Sequence, residues 1–289
     1  MKGIILAGGS ATRLHPASLG VSKQLMPVYD KPLVYYPLTT LMLSGIREIL
    51  LISTPHDMPQ FKRLFSLSKK WGINLEFAEQ PNPGGLAEAL LIGEEFIDNQ
   101  PVALILGDNL FHGKGLGRQL QDEFRTPGAL IAAYQVADPR SFGVVEFDTN
   151  GIVTTLEEKP QVPKSSWAVP GIYFYDETAV SRTKKLDRST RGELEITDLN
   201  KTYLADKLLK VKTFARGSTW LDMGSPTSLL EAAQYIHIIQ ERQGLLVGSP
   251  EEAAWRAGWI SDSDLIELAN KIKNTEYSRM LTKLLLEKK

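Results

Sequence analysis

The first half of the chain alternates short apolar runs with amphipathic segments, and this alternation restricts the fold more than any other feature. Strands are predicted at Gly3–Ala7, Ile49–Ser53, Leu75–Glu79, Val102–Gly107 and Leu130–Val136. Helices are predicted between them at Leu33–Leu43, Met58–Lys70, Gly85–Phe96 and Gly115–Phe124. Repeated strand–helix–strand units place parallel strands in one sheet and cover both of its faces with helices. The sequence therefore predicts an α/β fold with a mostly parallel central sheet.

The pattern changes after about residue 137, where short strands follow one another without long helices. Strands are predicted at Phe142–Phe147, Ile152–Glu157, Val169–Tyr175 and Leu208–Phe214, and a long helix at Ser225–Gln243. Ser249 and Pro250 have the residue types preferred at a helix N-cap and first helical position. We expect a Rossmann-like core over residues 1–240, with an inserted β-rich part at about 137–222, followed by a helical C-terminal segment over 241–289.

Composition excludes several classes of function. The 289 residues are 43% hydrophobic and 23% charged, which is typical of a globular protein with a real core. The net charge of −1 predicts no binding to nucleic acid or to an anionic membrane surface. The chain has no cysteine, and it has no apolar run long enough for a signal peptide or a membrane span. We expect a cytoplasmic protein without disulfides or thiol chemistry.

A glycine-rich loop follows the first predicted strand, at the edge of the sheet where α/β proteins bind ligands. Gly8 and Gly9 allow the backbone to approach an anion closely, while Ser10, Thr12 and Arg13 add hydroxyl and guanidinium donors. The loop lacks the Lys-Ser/Thr of a Walker A motif and the third glycine of a dinucleotide fingerprint. By itself, a Gly-Gly pair after a strand is more often a simple turn.

Other candidate residues each have an ordinary structural explanation when considered alone. Lys23 would usually be a solvated surface cation, but it lies in an apolar segment that ends at Pro27. Asp108 follows a strand, where a carboxylate often caps a turn or a helix. The pair Glu158-Lys159 would usually be a charged turn. Their meaning depends on the order in which they occur.

That order resembles the sugar-nucleotide pyrophosphorylase family. The chain contains Gly-Gly-x-x-Thr-Arg-Leu at residues 8–14 and Lys23 before a proline, followed by strand-end Asp108, Glu158-Lys159 and Trp-Leu-Asp-Met-Gly at 220–224. The match extends from Lys2 to about Lys283. It is nearest to the glucose-1-phosphate thymidylyltransferases, as Phe142–Phe147, Gly192–Asp198 and Glu241–Gly244 indicate.

The resemblance implies a Mg²⁺-dependent transfer from dTTP to glucose 1-phosphate, giving dTDP-glucose and pyrophosphate. It implies catalytic roles for Arg13, Lys23 and Lys159, and Mg²⁺ binding by Asp108 and Asp222, since Mg²⁺ prefers carboxylate oxygen. The nucleotide-binding residues it implies are Gly8, Gly9, Ser10, Thr12, Arg13, Gln24, Gln80 and Gly85. The sugar-phosphate-binding residues it implies are Asn109, Gly143, Glu158, Lys159, Val169 and Arg191.

Gln80 would recognise the base, because its amide offers one acceptor and two donor hydrogens to the N3–H and O4 shared by thymine and uracil. A uridylyltransferase that uses UTP therefore remains an alternative. A catalytically silent nucleotide-sugar sensor is a second alternative, which the presence of Arg13, Lys23, Asp108 and Asp222 argues against. The family has an acidic residue where this chain has Gly84, and we expect a looser loop there.

The resemblance also implies contacts beyond the active site. Family members often carry a second nucleotide site near a subunit interface, and Arg216, Glu252 and Arg256 match its pattern. His112 and Lys114 replace the residues that are more usual in that site. A homo-oligomer, a tetramer in the family, and regulatory contacts of the C-terminal segment are expected on the same ground.

Overall fold

The computed structural model of the chain describes residues 1–9, 11–122 and 127–286. Within them, the strands are β1 (Lys2–Leu6), β2 (Pro27–Val28), β3 (Lys31–Pro32), β4 (Glu48–Ser53), β5 (Asn74–Glu79), β6 (Val102–Leu106), β7 (Asn109–His112), β8 (Ala129–Gln135), β9 (Gly143–Phe147), β10 (Val153–Glu158), β11 (Trp167–Val169), β12 (Ile172–Tyr175), β13 (Leu209–Thr213) and β14 (Thr219–Asp222).

The helices of the described residues are α1 (Tyr35–Leu43), α2 (Met58–Leu64), α3 (Glu88–Ile92), α4 (Glu94–Ile97), α5 (Leu116–Asp122), α6 (Ala179–Thr183), α7 (Ile196–Ala205), α8 (Pro226–Gln243), α9 (Pro250–Arg256), α10 (Asp262–Lys271) and α11 (Glu276–Leu284). Short 3₁₀ helices lie at Thr12–Leu14, Ala17–Leu19, Lys23–Leu25 and Ser68–Trp71. None of the helices in the described part of the chain is long and apolar enough to cross a membrane.

One large sheet organises the structure. Its strand order is β10-β9-β11-β8-β12-β6-β1-β4-β5, with β13 also paired to β8. Strands β6, β1, β4 and β5 are parallel neighbours, as predicted. Strand β12 joins β6 and β8 in antiparallel pairing, so that β8, and with it β13, keeps the direction of β1. The predicted α/β class with a mostly parallel central sheet is confirmed.

The parallel strands are buried on both faces, which explains their continuous apolar sequences. Ile5, Leu51 and Ile105 belong to a core on one face, while Ile4 and Leu104 belong to a core on the other. Polar groups therefore collect at the strand ends, where the chain leaves the sheet. This places the candidate site beyond the carboxyl edge of β1, β5 and β6.

Three predicted elements differ clearly from the structure in their extent. The predicted strand Val169–Tyr175 divides into β11 and β12 because Pro170, which lacks an N–H, interrupts it. The predicted helix Met58–Lys70 ends at Leu64, before the 3₁₀ helix Ser68–Trp71. The predicted helix Gly85–Phe96 begins only at Glu88, since Gly85 has a φ of +100°, and Gly93 separates it into α3 and α4. The predicted end of the fourth helix, Phe124, lies outside the described residues.

The C-terminal helices share the larger core with the sheet, and a buried polar cluster joins α9 to α11. Ser249 caps α9, as predicted, by accepting from the backbone N–H of Glu252. The Tyr277 hydroxyl contacts Ser249 Oγ at 2.7 Å and donates to Glu251 Oε2 at 2.6 Å. Burial raises the pKa of Glu251 because the carboxylate is removed from water. The boundary near residue 240 stays a prediction.

We expect Tyr277→Phe to lower the free energy of unfolding by about 1–3 kcal/mol, because the variant leaves a buried carboxylate without its hydroxyl donor. Urea denaturation at neutral pH measures the change. Tyr134→Phe is the matched control, since the Tyr134 hydroxyl donates to a single backbone carbonyl at 3.2 Å. Equal losses in the two variants would contradict a special role of the Tyr277 cluster.

Candidate active site

A cavity of about 430 Å³ opens beyond the carboxyl ends of β1, β5 and β6. It brings together thirteen of the predicted site residues, which come from ten segments of the chain spread over more than two hundred positions. The predicted residues that line it are Gly8, Gly9, Arg13, Gln80, Gly85, Asp108, Asn109, Gly143, Glu158, Lys159, Val169, Arg191 and Asp222.

The glycine-rich loop forms one wall of this cavity. Gly9 has a φ of +103° and Ala11 a φ of +46°, so the chain turns sharply between β1 and the 3₁₀ helix that begins at Thr12. Gln24 is buried behind the loop, where its Nε2 donates to the carbonyl of Gly8 at 3.4 Å. Thr12 is exposed, and neither it nor Gln24 is among the described residues that line the cavity. The predicted Ser10 lies outside the described residues.

Two carboxylates meet at the middle of the site because β7 and β14 pair in antiparallel register. Asp222 lies opposite Asn109 in this pair, and the backbone N–H of Met223 donates to the carbonyl of Asp108. Lys23 Nζ forms an ion pair with Asp108 Oδ2. Asn109 Nδ2 donates to Asp108 Oδ1 at 2.9 Å. The Asp108 side chain is therefore held from two directions.

The electrostatics of this pair favour a cation. The pKa of Asp222 is raised to about 6, first by burial and then by the negative charge of Asp108, while Lys23, Arg13 and Lys159 act in the opposite direction. A cation between the two carboxylates would relieve their repulsion. Among the described residues no group of three or more potential metal ligands occurs. An ion held here would take its other ligands from substrate oxygens or water, as Mg²⁺ commonly does.

The opposite wall carries a second set of charged and polar groups. Glu158 Oε2 accepts from Thr197 Oγ1 at 2.5 Å, and Lys159 Nζ lies 3.2 Å from Glu158 Oε1. Lys159 lines the cavity with a φ of +45°, an unfavourable conformation for a lysine. A Cβ on Gly143 would lie 3.3 Å from Thr197 Oγ1, so glycine keeps this wall open.

The sequence prediction missed several residues that line the cavity. They include the aromatic residues Phe142, Tyr173 and Trp220, as well as Glu195 and Thr197. Glu195 and Thr197 lie in the segment Arg191–Asp198, which the sequence marked as similar to the family although only Arg191 was named. Phe142 and Trp220 also lie in segments that carry the resemblance, whereas Tyr173 was indistinguishable in sequence from an ordinary core position.

Asn109 is held more firmly than a freely adjustable sugar ligand would be. Its Oδ1 accepts from the backbone N–H of Gly171 at 3.2 Å and from Trp220 Nε1 at 2.6 Å. Its Nδ2 donates to Asp108, so all three bonds fix the amide. Asn109 is 2% exposed, and we infer that its main effect is to orient Asp108.

The loop around Gly84 is not loose, and that prediction was wrong. The carbonyl of Gly84 accepts from the backbone N–H of Leu194 at 2.8 Å and from Arg188 Nη1 at 3.3 Å. Gly85 packs so closely on Leu194 that an added Cβ would lie 2.3 Å from its carbonyl oxygen. The loop is fixed by contacts with a distant segment, which local sequence does not reveal.

The residues predicted for a second nucleotide site lie on two elements. Arg256 Nε donates to Glu252 Oε1 at 2.6 Å within α9. Arg216 is exposed in the turn between β13 and β14. The second site and the subunit interface stay predictions; unchanged inhibition by a nucleotide sugar in an Arg256→Ala variant would count against that site.

Comparison with known proteins is consistent with this geometry. A family model described as nucleotidyl transferase matches residues 2–238. The chain is 54% identical over 285 residues to a glucose-1-phosphate thymidylyltransferase of Mycolicibacterium smegmatis, covering 99% of each chain. It is 54% identical over 286 residues to the enzyme of the same name from Neisseria meningitidis, again covering 99% of each.

Solved structures give the same result for the fold. A Bacillus anthracis protein, provisionally assigned as a glucose-1-phosphate thymidylyltransferase and solved with sucrose, is similar with a TM-score of 0.75 and 36% identity, over 81% of this chain and 94% of that one. A UDP-glucose pyrophosphorylase bound to UDP-glucose has a TM-score of 0.71 at 24% identity, over 82% of this chain and 98% of that one, which supports the fold alone. The chain therefore belongs to the nucleotidyl transferase family, in the group whose curated members are glucose-1-phosphate thymidylyltransferases.

Proposed function

We propose that this protein transfers the thymidylyl group of dTTP to glucose 1-phosphate, releasing pyrophosphate and forming dTDP-glucose. The observation that carries the proposal is that one cavity is lined by the glycine-rich loop, by Arg13 and by a second set of cations, Lys159 and Arg191. The same cavity contains the carboxylates of Asp108 and Asp222, and Arg13 and Lys159 interact electrostatically with Asp222. The names of relatives that are 54% identical over nearly the whole chain support these substrates.

The reaction requires no protein nucleophile. An oxygen of the sugar phosphate attacks the α-phosphorus of dTTP, a new P–O bond forms, and the bond to the bridging oxygen of the leaving pyrophosphate breaks. The attacking oxygen is already ionised near neutral pH, so no side chain must remove a proton. The protein must hold two polyanions in line and neutralise their charge.

The triphosphate half of the site uses the loop and two cations. The backbone N–H groups that follow β1 and the guanidinium of Arg13 suit phosphate oxygens. Lys23, paired with Asp108, supplies a second positive charge next to the metal-binding carboxylates. Gln80 and Gly85 line the same cavity and would contact the base.

The sugar-phosphate half uses the opposite wall. Lys159 and Arg191 would bind the phosphate of glucose 1-phosphate, whose two charges need cationic partners. The Glu158 carboxylate, held by Thr197, would accept from sugar hydroxyls. Gly143, Val169 and Asn109 would enclose the hexose.

Mg²⁺ would be held by Asp108 and Asp222, which fit a hard cation because both supply carboxylate oxygen and their mutual repulsion favours a positive ion between them. When bound, the ion supplies neutralisation of the charge that builds up on the phosphate oxygens. Lys23 and Asn109 would orient the Asp108 carboxylate for this role.

The assignment of dTTP rather than UTP as the substrate is supported more by the names of the relatives than by contacts within the cavity. Gln80 offers the same partners to thymine and uracil, and a single methyl group changes selectivity by only about 1–3 kcal/mol. A silent sensor is disfavoured because Arg13, Lys159 and both carboxylates line one cavity, and Lys23 is paired with one of those carboxylates, Asp108. Homo-oligomerisation, to a tetramer as in the family, is proposed on the resemblance alone.

We expect pyrophosphate release from dTTP with glucose 1-phosphate, and only when Mg²⁺ is present. A coupled pyrophosphate assay over several triphosphates and sugar 1-phosphates, with and without Mg²⁺, measures it. A preference for UTP would change the assigned nucleotide only. No release from any pair would overturn the proposed function.

Asp222→Asn should reduce Mg²⁺-dependent turnover by about two to three orders of magnitude, comparable to the loss of one transition-state contact. The amide keeps the shape of the side chain but lacks the charge that holds the cation. Asp138→Asn is the control, because Asp138 is exposed and pairs with nearby Arg140 on the surface. Turnover of Asp222→Asn within a few fold of the parent would exclude Asp222 as a metal ligand.

In the absence of Mg²⁺ and substrate, Asp222→Asn should have a higher free energy of unfolding than the parent. The pKa of Asp222 in the folded state is raised from 3.8 to about 6, so ionisation disfavours the folded state as the pH rises through this range. At about pH 7.5 the variant should gain up to about 3 kcal/mol, and about half of that at pH 5. Urea denaturation at both pH values tests this, and a destabilised variant at pH 7.5 would contradict it.

A further inference from the structure

We propose that Glu88 is a positioning residue that fixes the orientation of the Gln80 amide, and that it thereby restricts the base to one that donates at N3. Thymine and uracil satisfy this condition, whereas cytosine does not. The inference rests on the proposed function, in which Gln80 faces the base. The Gln80 amide could present either its oxygen or its NH₂ group to the base, and Glu88 explains why it presents the oxygen.

The contacts of Gln80 are specific. The residue follows β5 and is 7% exposed. Its Nε2 donates to Glu88 Oε2 at 2.8 Å and lies 3.5 Å from the carbonyl oxygen of Gly85. Its Oε1 points towards Gly8, since a Cβ built on Gly8 would lie 3.3 Å from it. Gly8 and Gln80 both line the cavity, so the acceptor end of the amide is directed to the site.

The charge of Glu88 makes this orientation the favoured one. Arg188 Nη2 lies 2.9 Å from Glu88 Oε1, and a carboxylate paired with a guanidinium accepts hydrogen bonds without donating any. Rotating the Gln80 amide by half a turn would place its oxygen against the carboxylate oxygen of Glu88 and lose the hydrogen bond. Repulsion and the lost bond both oppose the rotated form.

The fixed amide matches only some bases. Both amide hydrogens have partners in the protein, Glu88 and the carbonyl of Gly85, so Gln80 presents its acceptor oxygen to the site. This oxygen complements the N3–H donor of thymine or uracil. The rotated amide would complement cytosine, which has an acceptor at N3 and a donor amino group at position 4.

Gly84 is matched to Glu88. A Cβ added at Gly84 would lie 1.9 Å from Glu88 Oε2, so the Glu88 carboxylate occupies the space that a side chain at position 84 would need. Arg188 holds this arrangement by also donating to the carbonyls of Gly84 and Gly192. The absence of a side chain at position 84 is therefore required by the position of Glu88.

Glu88→Gln tests the proposal, because a glutamine at this position can accept from or donate to either orientation of Gln80. We expect the ratio of kcat/KM for dTTP to that for dCTP to fall about tenfold or more, as expected for the loss of a charged hydrogen-bond partner. The ratio for dTTP to UTP and the KM for glucose 1-phosphate should stay unchanged. A dTTP to dCTP ratio within twofold of the parent would overturn the proposal.

Glu94→Gln is the matched control. Glu94 begins α4 and forms an ion pair with Lys184, so the control removes a comparable charge pair from a neighbouring helix without touching Gln80. It should leave all the ratios at their parental values. A fall in the dTTP to dCTP ratio in this control as large as in Glu88→Gln would overturn a specific role for Glu88.

Gly84→Ala displaces Glu88 without altering its chemistry. The new Cβ would push away the end of a flexible side chain and not the backbone, so the variant should fold. We expect the same loss of discrimination as in Glu88→Gln, and no additional loss in the double variant, since both changes act on one contact. Additive losses would contradict the shared mechanism.

Calorimetric binding of dTTP and dCTP, without a sugar phosphate, separates this inference from the proposed function. If the parent binds dTTP more tightly than dCTP and Glu88→Gln reduces that preference, the inference holds even where no pyrophosphate is released. Equal binding of the two nucleotides by the parent would overturn it, even where turnover is observed.

Discussion

Two partly buried carboxylates, Asp108 and Asp222, face each other across the β7–β14 pair, and much of the active site compensates for the cost of keeping both ionised. Removal from water raises the pKa of Asp222, and the second carboxylate adds to the effect. Lys23 binds Asp108 directly, while Arg13 and Lys159 act on Asp222 from other segments. The cations that suit polyanionic substrates thus also offset the negative charge of the two carboxylates.

The fold brings these groups together through connections that are remote in sequence. The parallel strands deliver the glycine-rich loop, Gln80 and Asp108 to one edge of the sheet. The small β7–β14 sheet then adds Asp222, which is more than a hundred residues from its partner. An overall charge of −1 is compatible with phosphate chemistry because the positive charges are placed locally.

Sequence alone predicts the features that depend on local pattern. The buried parallel strands, the loop after β1 and the start of α9 at Ser249 agree with the structure. Features that depend on distant contacts were not predictable: Leu194 fixes the loop around Gly84, and Thr197 holds Glu158. The division at Pro170 follows from a local property, the missing N–H of proline, which the sequence prediction did not use. The substrate roles came from resemblance to a family, since the residues individually had ordinary explanations.

Arg188 connects the two walls of the cavity. Its guanidinium bonds to Glu88 and Gly84 beside Gln80, and to the carbonyl of Gly192 in the segment that carries Arg191. Backbone hydrogen bonds between Leu194 and Gly84 and between Ala87 and Leu194 join the same two segments. Moving one segment away from the other would therefore break the contacts of Arg188 and these backbone bonds together, so the two segments behave as one rigid unit of the cavity lining.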